Sequence, residues 1–149
     1  MERFLYRGVN DKQHHKTKGK LIPKEPGKPF KRFVHYGEDV YYGGGNTYVE
    51  SETNAVIMHQ IDSSKYPSSG ISTTPIFENA KLYATYKGKY ASGVVYKIDT
   101  ELLEAASVKA YPVDTHAVNP TVPGDREVIL VARDFMELPN EIIIEIIEV

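Results

Sequence analysis

The stretch that decides the fold is GISTTPIFENAKLYATY, residues 70–86. Gly70-Ile71-Ser72-Thr73-Thr74 is short and rich in β-branched side chains, which favour extended backbone. Pro75 pushes the residue before it out of the helical region, so a strand should end here. The same proline suits the first turn of a helix, where its missing N–H would have no partner anyway. Thr74 stands where an N-cap hydroxyl is wanted. Phe77, Ala80, Lys81 and Ala84 follow at helical spacing, which predicts a helix over residues 75–86.

Toward the C-terminus, Gly93-Val94-Val95-Tyr96-Lys97-Ile98 reads as a strand. Residues 100–106 suit a short helical turn, and residues 111–125 a long loop. Residues 127–132 and 141–149 read as two more strands. The last is apolar on both faces in places, so a central position in a sheet is expected for it rather than an edge. Toward the N-terminus, residues 3–9 form a short extended segment with Phe4 and Tyr6 on one face and Leu5 and Arg7 on the other. Residues 10–20 are polar and basic, with His14 beside His15, and read as a loop. Residues 21–23 are a brief apolar return, residues 24–31 a loop, and residues 33–42 alternate poorly. Gly43-Gly44-Gly45-Asn46 is a turn, because it lacks the Lys-Ser/Thr that follows a phosphate-binding loop. Residues 49–62 predict a helix capped by Ser51 or Thr53, with Ala55, Met58 and His59 near one side. The whole is an α+β domain.

With 149 residues the chain has the length of one domain and can bury a sizeable core. Eighteen basic against twenty acidic side chains leave a net charge of -2, so there is no bulk footprint for nucleic acid, although a local basic patch stays open. No cysteine is present, which removes disulfides, thiolate metal sites and a cysteine nucleophile. The five histidines show no metal-ligand spacing. Neither a leader-like apolar segment at the start nor an apolar run long enough to span a membrane is found. Eleven tyrosines without tryptophan fit a strand-rich fold, and Tyr41, Tyr42 and Tyr48 are available to line a cleft.

Three features carry chemistry. Arg7 lies inside an apolar segment, where it serves either a salt bridge or an anion clamp. Ser72 lies two residues before the capping position and is not needed there. Asp125-Arg126-Glu127 enters a buried strand, and in extended backbone its two carboxylates would point the same way, as suits a site that holds a developing cation and accepts a proton.

Taken in order, these stretches resemble the ADP-ribosyltransferase toxins of the cholera and heat-labile enterotoxin type, defined by an Arg, a Ser-Thr-Ser strand and a Glu-x-Glu pair. Leu5-Tyr6-Arg7-Gly8 is similar to the family's N-terminal stretch, and Lys20-Leu21-Ile22-Pro23 to the hydrophobic step after its first loop. Gly70-Ile71-Ser72-Thr73-Thr74 matches the Ser-Thr-Ser strand with Thr74 as a replacement. Residues 78–84 follow as the family's helix, residues 93–98 as its next core strand, and Asp125-Arg126-Glu127-Val128 as its Glu-x-Glu-Val. Leu138-Pro139 and the closing Ile/Val run resemble its ending, so the likeness covers nearly the whole chain.

The resemblance implies one catalytic domain over residues 1–149. Its fold would be two packed mixed or antiparallel sheets around an NAD cleft, with helices mainly in the N-terminal half. NAD would be the substrate, with nicotinamide leaving and ADP-ribose passing to an acceptor. Glu127 would hydrogen-bond the ribose and stabilise positive charge, Ser72 would orient Glu127, and Thr73 would support the pocket. Arg7 would hold the diphosphate or its ribose, with Gly8 beside it, and His59 would contact the nicotinamide-side ribose. Asp125 takes the place of the family's first Glu, which acts on the acceptor. The shorter side chain favours NAD glycohydrolysis over arginine modification. A protein acceptor is expected ahead of nucleic acid, and an immunity or regulatory protein fits as a partner. The setting would be the cytoplasm, or a toxin or effector delivered without a signal peptide. The alternatives are a weak or inactive NAD- or protein-binding member of the same fold, and an unrelated structural α+β protein.

Overall fold

Strand β5 (Gly93–Asp99) is buried at six of its seven positions, because its apolar side chains face two different layers. The computed structural model describes residues 2–30, 32–35, 48–51, 69–85, 92–113 and 126–149. Val94, Tyr96 and Ile98 point into one core cluster, and Val95 into another on the opposite side. Strand β1 (Phe4–Asn10) runs antiparallel along one edge of β5, with Leu5 opposite Ile98, Arg7 opposite Tyr96 and Val9 opposite Val94. Strand β8 (Ile143–Glu148) runs antiparallel along the other edge, with an irregularity between Lys97 and Ile98.

A second sheet is built around β7 (Val128–Ala132), all five residues of which are buried. Strands β4 (Ile71–Thr73) and β6 (Val108–Pro112) flank it, both antiparallel. The inner faces of the two sheets share one core: Leu5, Val9, Val94, Tyr96 and Ile98 meet Ile71, Val108, Val128 and Leu130. Alternation along each strand sends the remaining side chains outward. On the outer face of the first sheet, Val95 meets Ala80 and Ala84 of helix α2 (Phe77–Ala84), with the Tyr6 and Phe77 rings edge to face at 5.5 Å. On the outer face of the second, Ile129, Val131 and Tyr111 pack with Phe30 and Val113. The sheets are tied by one bridge, in which Tyr6 N–H donates to the Thr74 carbonyl at 2.7 Å and Thr74 N–H to the Tyr6 carbonyl at 3.0 Å. Strands β2 (Arg32–His35) and β3 (Tyr48–Ser51) form a separate antiparallel pair. All pairings among the described strands are antiparallel, and the class is α+β with few helices. No described helix is long and apolar enough to cross a membrane.

Several expectations need correction. Residues 10–20 are not a loop. Helix α1 (Asp11–Thr17) forms there, closed at its start by the Asn10 side chain, which accepts from Gln13 N–H at 2.8 Å, and at its end by Lys18 in the left-handed conformation. It buries no residue fully, so no apolar stripe announces it. Thr74 is not the cap of α2: its hydroxyl accepts from Ile76 N–H at 3.1 Å, and the helix starts only at Phe77, leaving Pro75 outside. Residues 49–51 belong to β3 rather than to a helix, residues 32–35 form β2, and residues 111–112 belong to β6 rather than to a loop. Residues 100–106 contain a shorter 3-10 turn, Thr100–Leu102. β8 is an edge strand, with Ile144 and Ile146 each 46% exposed. Its isoleucines supply strand propensity rather than two-sided burial. The turn expected at residues 43–46, the helix over 52–62 and the loop over 114–125 lie outside the described residues.

Two glycines let α2 lie close against the first sheet. A Cβ on Gly8 would land on the carbonyl oxygen of Ala80, with Ala84 N only 2.9 Å away. A Cβ on Gly93 would land on the Ala84 carbonyl oxygen. Both obstacles are backbone, which cannot rotate aside. Gly8→Ala should therefore lower the unfolding free energy by about 1–3 kcal/mol, read as an earlier urea midpoint at unchanged slope. At the end of β5, the Asp99 carboxylate accepts from Glu101 N–H at 3.0 Å and pairs with Arg3. The Glu101 N–H first, and then Arg3 and Lys97, hold Asp99 below the usual carboxylate range against the opposing effect of burial. Its stabilisation is present above the unfolded-state value and is lost as pH falls through the folded one. Below about pH 4, Asp99→Asn should flatten the acid limb of the stability profile.

Candidate active site

Arg7 is carried on the inner face of β1, between Leu5 and Val9, which are both core residues. The alternation that buries those two aliphatics sends the guanidinium into the same space. There Nη1 donates to the Ser72 backbone carbonyl at 3.2 Å. Burial pulls the Arg7 pKa below its ordinary value, and the Glu127 carboxylate and Tyr96 act in the opposite sense. A half-buried cation thus has a backbone acceptor from β4 and a carboxylate from the entrance of β7 as its electrostatic neighbours.

The β4–β7 register explains why those groups converge. Thr73 pairs with Val128, Ser72 with Ile129 and Ile71 with Leu130. Thr73 also donates from its hydroxyl to the Val128 carbonyl at 2.6 Å, fastening β4 to β7 one residue from Glu127. The Glu127 carbonyl accepts from Val113 N–H at 2.9 Å, which extends the β6–β7 ladder by one rung. Glu127 is half-buried and Ser72 likewise. In strand alternation Ser72 shares its face with Ile129, and Ile71 and Thr73 take the other.

Gly8 faces α2, so the structure gives it a packing position on the side of β1 away from Arg7. Arg126 has φ of 50°, a left-handed conformation, and its guanidinium donates to Glu2 at 2.9 Å. The extended backbone assumed for residues 125–127 therefore does not hold at Arg126. Asp125 itself, and His59, lie outside the described residues.

The structure adds groups that the sequence did not single out. Tyr96, the register partner of Arg7, is fully buried, and its hydroxyl lies 2.6 Å from His14 Nδ1 of α1. Burial pushes the Tyr96 hydroxyl pKa up, against the opposing effects of Thr17 and Arg7. A buried tyrosine needs a polar partner, but nothing local could name a histidine 82 residues away. Between α1 and β4 opens a small, shallow cleft, lined by Arg7, Gln13, Thr17 and Lys20 over Val9, Leu21, Ile22 and Ile71. It brings two cations and two neutral hydrogen-bonding side chains together over an apolar floor. No group of three His, Cys, Asp or Glu side chains that could hold a metal occurs among the described residues.

The family model described as NarE matches residues 4–130, a span that includes Arg7, Ser72 and Glu127. No curated protein matches the chain.

The Tyr96–His14 contact can be tested apart from any activity. Tyr96→Phe keeps the ring and removes the hydroxyl, leaving the His14 nitrogen without its partner. A loss of about 1 kcal/mol in unfolding free energy is expected, together with a shift of the His14 imidazole nitrogen resonances. Unchanged resonances would contradict the contact.

Proposed function

Since the chain belongs to the NarE family, an ADP-ribosyltransferase-like family, we propose that it cleaves NAD and transfers ADP-ribose, in the manner of the cholera and heat-labile enterotoxin class. The observation that carries this reading is that Arg7 of β1 donates to the Ser72 carbonyl of β4 and lies in the field of Glu127 at the entrance of β7, so that groups from three strand segments come together.

In this reading the bond between nicotinamide and ribose C1′ breaks, and its electron pair leaves with neutral nicotinamide. The ribose left behind is oxocarbenium-like, as in glycoside transfer. Glu127 hydrogen-bonds the ribose and opposes the growing positive charge, an effect strongest where water is excluded. Arg7 binds the NAD diphosphate as a fixed cation. The Ser72 carbonyl limits how the guanidinium can turn, and Thr73 holds the strand that carries this carbonyl. His59 serves the nicotinamide-side ribose. An acceptor then attacks C1′ and gives up its proton, with Asp125 as the acceptor-side carboxylate. Aspartate is one methylene shorter than the glutamate of the toxins and sets the charge back by roughly 1.5 Å, a displacement that matters for a positioned base. Water is therefore a competent acceptor, and NAD glycohydrolysis accompanies transfer. A delivered effector or toxin is the role this activity suits. Asp125 and the left-handed backbone at Arg126 favour one second reading, a weak or inactive member that still binds NAD.

Purified protein should release nicotinamide from NAD. Glu127→Gln should retain its fold by circular dichroism and lose on the order of 10² to 10³ in rate. Wild-type protein that neither binds nor consumes NAD, with or without cell lysate, would falsify the enzymatic reading.

A further inference from the structure

The outer face of α1 takes no part in the core. His14 and Thr17 are half-buried, with His14 turned onto Tyr96, while Lys12, His15 and Lys16 are exposed. Lys18 turns left-handed and Gly19 follows, so the chain doubles back and delivers Lys20 to the rim of the cleft beside Arg7. Residues 11–24 contain five lysines and one aspartate, a net of +4 within a chain of net -2. The aspartate is engaged, since the Ser92 hydroxyl donates to it. Lys12, Lys16 and Lys18 form no ion pair among the described residues, and Lys20 has only a loose, exposed contact with Glu137 at 3.7 Å. The rest of the chain sums to -6, so this segment is where the charge balance turns toward a polyanion.

We propose that this surface binds the phosphate backbone of a nucleic acid and presents the strand to the mouth of the cleft as acceptor. The second half rests on the ADP-ribosyl transfer reading; the first does not. A row of separate charges along a helix and its following turn fits a linear polyanion better than a small anion. All five cations are lysines. Lysine is a point charge that meets a phosphate oxygen from any direction. A nucleic acid carries a phosphate at every nucleotide and so meets such a row in any register, whereas an acidic protein must present its carboxylates at matching positions. The segment holds no Phe or Tyr on which a base could stack, so contacts are to the backbone and independent of sequence. In the transfer itself, a nucleophilic nitrogen or oxygen of the nucleic acid bonds to ribose C1′ as the bond to nicotinamide breaks. Nicotinamide takes the bonding electrons, and the acceptor's proton passes to a carboxylate or to water.

The test uses the full chain and labelled mixed-sequence DNA, single-stranded and duplex, followed by fluorescence anisotropy without NAD. Binding is expected, with a slope of log affinity against log salt no steeper than about -4.5, the limit for five phosphate contacts. Lys12→Glu with Lys16→Glu should weaken it at least tenfold, while Lys81→Glu with Arg133→Glu, on other surfaces, should not. No binding at low salt, an equal loss in both double variants, or equally good competition by polyglutamate would each overturn the assignment. Radiolabelled NAD is then added. Label should enter DNA in wild type and be lost in Lys12→Glu with Lys16→Glu, at unchanged release of nicotinamide. DNA that binds and stays unlabelled, while nicotinamide is released, overturns the acceptor role and leaves the NAD reading intact. A protein that binds DNA but does not consume NAD leaves the binding surface standing, while the NAD reading and the acceptor role fall together.

Discussion

A cation held between two sheets is the constraint on which the rest of this structure depends. Removing a guanidinium from water is costly unless acceptors and an opposite charge replace the solvent. Arg7 finds the Ser72 carbonyl from β4 and the field of Glu127 from the entrance of β7. Neither group is near it in sequence. The pairing exists only if β1, β4 and β7 are brought to one place, so forming the site and closing the fold are the same event. Removing one partner of such a group costs more than a neutral core substitution, because the charge is left behind uncompensated.

The geometry that satisfies Arg7 is set by two narrow devices. One is the bridge between Tyr6 and Thr74, which joins the first sheet to the second at the residue next to Arg7. The other is the glycine pair beneath α2. Gly8 follows Arg7 directly and points the opposite way, so the strand offers a charge to the cleft and an empty face to the helix in consecutive residues. Any shift of β1 along β5 by one residue would exchange those faces and place the guanidinium against α2. Close packing on one side of β1 therefore protects the register of the chemistry on the other.

Much of this was legible where the signal is local. The β-branched run before Pro75, the Val-Val-Tyr-Lys-Ile segment and the strand after Glu127 each combine strand propensity with a boundary residue, and all three are strands. Arg7 and Ser72 were singled out as polar groups that their segments did not need, and the structure brings Arg7 to the Ser72 backbone carbonyl, which no side-chain pattern could foretell. Helix α1 is not legible because its residues show no apolar periodicity; its ends are set by Asn10 and Lys18, and its inner contact is a distant tyrosine. The end of β6 is equally hidden, because Tyr111 and Pro112 look like loop and only their pairing with β7 makes them strand. For β8 the chain offered apolar side chains on both faces, and sequence does not say which of them a neighbour will cover.

Charge shows the same limit from another side. A net charge of -2 argues against a polyanionic partner, yet that number averages over a chain whose residues 11–24 carry +4. Electrostatic attraction falls off over a Debye length of about 8 Å at physiological salt. A ligand at the surface of α1 therefore responds to the lysines near it far more than to acids on the opposite side of the domain. What turns those lysines from a run in sequence into a surface is the helix itself. It takes His14 and Thr17 out of the row by turning them inward, and leaves Lys12 and Lys16 one turn apart on the outside. The contact that holds α1 against Tyr96 thus lies between the lysine surface and Arg7, since Tyr96 is also the neighbour of Arg7 across the β1–β5 ladder.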